Sequence, residues 1–303
     1  MLYIVILLLL IVILCFIISG CMFIKALSRG SDKSSVLESD LNGRKTDMKI
    51  KISLPDTKWL NDNCKKVNIK SKDNLKLQGY IVNNNSDKWI IFVHGYSGDH
   101  KHMINRAKKM YEMGYQVLLV DLRGHGKSEG KYITMGIKDC YDIKEWITYL
   151  IENESAKEIG LFGISMGAAT VMMTIGLDLP KEVKFAIEDC GYTSVWEEFK
   201  YQVNNLYHLP TFPFLHICNL FAIIFAKYNF KSYSPIEAIS NTKIPLLLIH
   251  GSNDTFVPFK MLNENYNACS SKKQQLIVNG ANHAESQDLD YNKYWETIEK
   301  FIK

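Results

Sequence analysis

The sequence predicts an α/β architecture: a mostly parallel, doubly wound sheet of about eight strands, a helical cap inserted late in the chain, and an N-terminal transmembrane helix. Three observations predict it. Short, continuous apolar runs alternate with helix-length stretches, which is the pattern of parallel strands buried on both faces. An aromatic-rich stretch of about fifty residues, from Asp189 to Lys243, interrupts that alternation once. Finally, Met1 to Ile24 carries no charged side chain.

Twenty-four helical residues rise about 36 Å, enough to cross a hydrocarbon core of about 30 Å. A core helix of this length is rarely apolar on every face, so membrane insertion is expected. The expected division is a transmembrane anchor over 1–24, a polar linker over 25–46, and a folded domain over 47–303 with its cap at about 192–240. A cleavable secretory signal begins with a positive n-region, which this chain lacks. Ile18-Ser19-Gly20-Cys21 resembles a bacterial lipobox, leaving lipidation of Cys21 as an alternative. Lys25, Arg29 and Lys33 flank only the C-terminal side of the segment, which favours a cytoplasmic domain.

At 303 residues and 47% hydrophobic, the chain has ample material for a core. Its net charge of +4 comes from scattered lysines, which argues against a nucleic-acid partner. Five cysteines lie outside the apolar segment, with no C-x-x-C spacing. They form neither a disulfide framework nor a zinc site, and are expected to be free, mostly buried thiols.

The strands come in order. Lys65–Lys70 and Leu75–Val82 alternate at period two around Asp73-Asn74, predicting an antiparallel hairpin at a sheet edge. Trp89–Val93, Gln116–Val120, Ile159–Phe162, Phe185–Ile187, Pro245–Ile249 and Gln275–Val278 supply the buried strands. Lys101–Met113 and Ile137–Ile151 are expected helices between them. In the aromatic-rich insertion, Pro210 and Pro213 rule out one long helix. Phe214–Ala226 is almost wholly apolar, yet at thirteen residues it is too short to span a bilayer. A cap over the carboxyl edge of the sheet is the natural reading, with most of its aromatics serving as its own core.

In a doubly wound sheet, ligands sit beyond the carboxyl ends of the strands, so the residues immediately after each apolar run matter most. After Ile159–Phe162 comes Gly163-Ile164-Ser165-Met166-Gly167, and then a helix-like stretch. Strand, tight turn and helix around G-x-S-x-G form a nucleophile elbow, in which a strained turn lifts the serine hydroxyl above the sheet. So sharp a turn brings the two glycines together, and a Cβ on either would crowd the backbone. Alone, the pentapeptide turns up by chance in about one chain in ten of this length. The other strand ends supply its context: His94-Gly95-Tyr96-Ser97-Gly98, Asp121-Leu122-Arg123-Gly124-His125-Gly126-Lys127-Ser128, His250-Gly251-Ser252-Asn253-Asp254-Thr255-Phe256-Val257-Pro258, and Asn279-Gly280-Ala281-Asn282-His283.

In this ordered set the chain resembles the α/β-hydrolase superfamily from about Lys65 to its C-terminus. With the anchor included, it is similar to membrane-anchored bacterial hydrolases of the prolyl-oligopeptidase-like and lysophospholipase-like kinds. The resemblance implies that Ser165 is the nucleophile, His283 the base that activates it, and Asp254 the acid that orients the imidazole. It also implies an oxyanion hole made by the backbone N–H groups of Tyr96 and Met166. Asp189, at the end of another strand, is the rival acid; with Asp254 in the role, it reads as a hinge of the cap. His94 and His125 are expected to hydrogen-bond backbone in their turns, His250 to be buried, and Asp121 to anchor its loop through Arg123.

Gly124-His125-Gly126-Lys127-Ser128 mimics the end of a P-loop, but position 121 is Asp where that motif needs Gly. No H-E-x-x-H or similar cluster supports metal catalysis, so neither metal nor cofactor is expected. The resulting expectation is a membrane-anchored serine hydrolase cleaving a carboxylic ester, with a small-molecule or lipid acyl substrate. A serine peptidase, an acyltransferase to another alcohol, and a catalytically silent binding protein on the same fold remain alternatives.

Overall fold

The computed structural model describes residues 1–33 and 54–303. Most of the expected linker, from residue 34 on, and the start of the expected domain, 47–53, lie outside the described residues.

The eight expected strands are present: β1 (Lys65–Lys70), β2 (Lys76–Val82), β3 (Lys88–Val93), β4 (Gln116–Val120), β5 (Glu158–Ile164), β6 (Val183–Asp189), β7 (Leu246–Gly251) and β8 (Lys273–Val278). They form one sheet in the order β1-β2-β4-β3-β5-β6-β7-β8. β1, β2 and β4 pair antiparallel, as an edge hairpin does, and every later pairing is parallel. The antiparallel hairpin alternates in burial along β1, whereas β3, β4 and β7 are buried almost throughout. That contrast is what the period-two and continuous apolar patterns encode.

Sheet order reverses at β3, which lies between β4 and β5. Such a switch point opens a crevice at the carboxyl ends of the strands on either side. Here it places the ends of β3 and β5, and hence Tyr96 and Ser165, beside one another.

Helices cover both faces. On one side lie α2 (Leu54–Asn63), α3 (Ile104–Glu112, entered through a 3-10 turn at His100–Met103) and the C-terminal α11 (Tyr291–Ile302), whose Tyr294, Trp295 and Ile298 are buried against the sheet. On the other lie α4 (Asp139–Glu154) and α5 (Met166–Ile175). Between β6 and β7 the cap contributes α6 (Val195–Asn205), α7 (Thr211–Phe221, continued by a π-helical turn at Ala222–Ala226) and α8 (Pro235–Ile239). A short α9 (Lys260–Ala268) precedes β8, and α10 (Ser286–Leu289) leads into α11.

The N-terminal α1 runs from Leu2 to Leu27, three residues past the expected end of the anchor. Among the described residues it is the one helix long and apolar enough to cross a membrane. Its first sixteen residues are exposed apart from half-buried Cys15, while Ser19, Met22, Phe23 and Leu27 are buried against the cap and the core.

The Arg123 expectation needs correcting. Arg123 does not pair with Asp121; its guanidinium forks onto Asp142 (2.7 Å to each oxygen) and reaches Asp73 in the hairpin turn (2.9 and 3.0 Å). Asp121 instead accepts from His100, through both the ring (2.7 Å) and the backbone N–H (3.0 Å), and from the Lys127 N–H (2.8 Å). After β4 the chain turns through Leu122–Ser128 instead of continuing extended, and the fork takes the carboxylates on its own side of that turn. Replacing Arg123 with Met would strand the Asp142 carboxylate away from water. Arg123→Met is therefore expected to lower stability by about 3–5 kcal/mol, measured by denaturant unfolding, and adding Asp142→Leu should recover part of the loss.

Candidate active site

Ser165 sits between the last residue of β5 and the first of α5, at φ 55° and ψ −117°. A positive φ is costly for a residue with a side chain, and the surrounding hydrogen bonds hold it there: the Ser165 N–H donates to the Asp189 carbonyl (2.8 Å), and its carbonyl accepts from Ala169 N–H (3.0 Å). The flanking glycines permit the turn. A Cβ on Gly163 would lie 2.2 Å from the Gly167 carbonyl oxygen, and one on Gly167 would lie 2.0 Å from that of Val93. Backbone cannot yield as a flexible side chain does. Gly167→Ala is expected to cost about 3 kcal/mol or more, read as a fall in thermal midpoint, and to disturb Ser165 with it.

The other two groups arrive from separate strand ends. Asp254 lies in the loop after β7, fully enclosed, and its Oδ1 accepts the backbone N–H groups of Phe256 and Val257 (2.9 Å each). Its Oδ2 stands 2.7 Å from His283 Nδ1, and His283 Nε2 stands 2.8 Å from Ser165 Oγ. A carboxylate only accepts, so Nδ1 carries the proton and Nε2 faces the serine hydroxyl as acceptor. Burial alone would raise the Asp254 carboxyl, but the facing His283 and the hydrogen bonds from two histidines outweigh it and hold it down at about 2. Phe256 packs on the His283 ring at 4.9 Å between centroids and limits its tilt.

Met166 opens α5, so its N–H has no partner within the helix and lies at the positive end of the helix dipole. Tyr96 and Met166 line the same cavity as Ser165. The rival acid, Asp189, points elsewhere: its Oδ2 accepts from the Tyr294 hydroxyl (2.8 Å) and faces Arg106 (3.5 Å), inside the opposite layer. Its side chain ties α3 and α11 to β6 rather than hinging the cap. His94 and His125 bond backbone as expected, His94 Nδ1 to the Gly95 carbonyl (2.8 Å) and His125 Nδ1 to that of Arg123 (3.0 Å). Burial lowers both rings, to about 4 and about 3, so they are neutral.

Two features were not anticipated from sequence. His250 is buried as expected, but its Nε2 also lies 3.1 Å from Asp254 Oδ2, so two imidazoles converge on one oxygen. Burial opposes its charge, yet the bond to Asp254 prevails and pushes His250 up to about 8. The signal was the i, i+4 spacing of His250 and Asp254 across a tight turn. The second feature is the cavity wall. A cleft leads to Ser165. Its lining is almost entirely apolar and includes Met22 and Phe23 of α1 beside Tyr192, Phe199 and Leu215 of the core and cap. Among the described residues that line it, Glu198 is the one carboxyl, and burial pushes it up to about 8.

Cys190, Asp254 and His283 place one potential metal-ligating atom each within 4.8 Å of one another. The donor set does not fit a metal: both His283 nitrogens are engaged, and burial raises the Cys190 thiol far above its usual range, keeping it protonated.

The chain is similar to known hydrolases. Residues 84–208 match a family model described as serine aminopeptidase, S33. An uncharacterized protein of Bacillus subtilis, YqkD, is 28% identical over 232 residues, covering 75% of each chain. The zebrafish (Danio rerio) lysophosphatidylserine lipase ABHD12 is 26% identical over 191 residues, 61% of this chain and 48% of that one. Among solved structures, the Pyrococcus furiosus esterase Pf2001 superposes with a TM-score of 0.66 at 28% identity, over 81% of this chain and 93% of that one.

Proposed function

Because the chain belongs to the α/β-hydrolase superfamily, we propose that it is a membrane-anchored serine hydrolase that cleaves a carboxylic ester, with a lipid acyl ester as the favoured substrate. The observation that carries this reading is the unbroken line Ser165–His283–Asp254, with contacts of 2.8 and 2.7 Å, at the floor of an apolar cleft.

Ser165 Oγ attacks the ester carbonyl while His283 Nε2 takes its proton. The tetrahedral oxyanion is met by the N–H groups of Met166 and Tyr96, each worth about 3–4 kcal/mol in such sites. His283 then gives its proton to the leaving alcohol, and an acyl-enzyme remains on Ser165. Water, activated by the same imidazole, releases the acid. Asp254 keeps the imidazole in its Nδ1–H tautomer and stabilises the imidazolium formed at each step. In this reading α1 crosses the membrane, and Lys25, Arg29 and Lys33 on its C-terminal side favour a cytoplasmic hydrolase domain.

Cleavage at a free amino terminus is the alternative that the matched family model suggests. The cleft argues against it. A substrate ammonium needs an anionic partner, and Glu198, the one carboxyl among the described residues that line the cleft, is kept neutral at pH 7 by burial. Full-length protein in detergent should therefore turn over p-nitrophenyl esters at least a hundredfold faster than aminoacyl-p-nitroanilides, an interval of about 2.7 kcal/mol in barrier. The reverse preference would sink the esterase reading.

A further inference from the structure

With Ser165 taken as the acyl-accepting nucleophile, a reading on which this step rests, the acyl group must be bounded by the residues around it. We propose that the last two turns of α1 form one wall of the acyl pocket, so that the membrane helix itself sets which acyl chains the enzyme accepts.

Met22, Phe23, Ala26 and Leu27 line the cavity that reaches Ser165. These positions lie one helical turn apart, on a single face. That face is fixed rather than loosely apposed. The Cys218 thiol of α7 donates to the Ser19 carbonyl (3.3 Å), and the Phe23 ring packs against Phe221 at 6.0 Å between centroids. A Cβ built on Gly20 would already touch the Phe221 ring at 3.4 Å, so the small pair Ser19-Gly20 is where the cap helix approaches. Beyond the helix, Ser28 forms a bridge with Tyr132, Ile133 N–H donates to the Leu27 carbonyl (2.8 Å), and the Arg29 guanidinium donates to the carbonyls of Ser128 (2.6 Å) and Gly126 (2.9 Å).

The same wall touches the oxyanion loop. The Tyr96 hydroxyl donates to the Ala26 carbonyl at 2.5 Å, so the residue whose N–H would meet the oxyanion is tethered to the end of α1.

The length of α1 brings this wall to the bilayer. Its exposed part, Leu2 to Ile17, rises about 24 Å, some 6 Å short of a hydrocarbon core of about 30 Å. The missing depth falls where the cap lies alongside, and there the cap itself exposes Ile223, Ile224 and Phe225. A straight helix thus joins hydrocarbon to pocket, and an aliphatic chain is the chemistry both surfaces accept.

The test uses the full-length chain in detergent and compares kcat/KM for p-nitrophenyl acetate and decanoate. Each methylene a pocket excludes costs roughly fourfold. Ala26→Phe, which fills the wall, should lower the decanoate-to-acetate ratio by about tenfold or more. Met22→Ala, which hollows it, should move the optimum to longer chains. Ile13→Ala, on the exposed part of the same helix, should leave the ratio as in the wild type. A ratio unmoved by both wall variants, in protein that still reacts with a fluorophosphonate, would overturn the proposal. If Ala26→Phe fails to label because it has not folded, Met22→Ala decides alone. A wild-type protein that neither labels nor cleaves any ester overturns the hydrolase reading, and the wall proposal with it.

Discussion

Replacing Ser165 with alanine is expected to lower ester turnover by about a millionfold and to abolish labelling by a fluorophosphonate. The expected loss is large because in the proposed mechanism Oγ is the atom that forms the bond, and no described neighbour is placed to substitute for it. Cys190 is the nearby alternative nucleophile, but burial keeps its thiol protonated and inert. What survives should be the contribution of the oxyanion hole and binding, which in comparable sites leaves about 10³–10⁴ over water. The fold is expected to tolerate the change. Ser165 holds φ 55° whichever side chain it carries, so alanine inherits the strain and the thermal midpoint should barely move. Ser165→Gly separates the two effects: it should be equally inactive yet more stable by about 1 kcal/mol, because glycine adopts that φ without penalty. Equal labelling of wild type and Ser165→Ala would remove the serine from the mechanism.

How much of this could be read from sequence depended on the range of the interaction. β3, β4 and β7 are buried on both faces, so their apolar runs appear unbroken in the sequence, and the motifs after each run mark the carboxyl edge. Ser165, Asp254 and His283 were visible because a strand end and its turn constrain sequence locally, even though the contact between Ser165 and His283 spans 118 positions. Non-local partner choice was not legible. Arg123 had one carboxylate two residues away and took two others, at separations of 19 and 50 residues. The inner face of α1 was hidden for a different reason. Its buried positions, Ser19, Met22, Phe23 and Leu27, keep helical spacing, but the residues between them are equally apolar and no stripe stands out. Only the small pair Ser19-Gly20 marked the contact, and in sequence it reads as a processing signal.

Replacing Asp254 with asparagine is expected to lower kcat by about ten-thousandfold while leaving the fold intact. Asp254 accepts four hydrogen bonds: two backbone N–H groups on Oδ1, and the rings of His283 and His250 on Oδ2. An asparagine has a single acceptor oxygen. If that oxygen keeps the backbone pair, the NH₂ faces His283 Nδ1, the imidazole must accept there, and its proton moves to Nε2. It can then no longer take a proton from Ser165. If the amide flips, its NH₂ meets the N–H groups of Phe256 and Val257, donor against donor. Both arrangements lose, and the first is inert by tautomer alone. Asp189→Asn provides the control, since its bonds run to Tyr294 and Arg106, and it should affect stability more than kcat. An Asp254→Asn enzyme within tenfold of wild type would return Asp189 to candidacy. The sign of the pH effect comes from the carboxyl being held down at about 2 rather than near 3.8. A lowered folded-state value stabilises the protein above the unfolded value, and that contribution disappears as pH falls through the folded one. The gap in thermal midpoint between wild type and Asp254→Asn should therefore be widest above about pH 4 and close as the pH approaches 2.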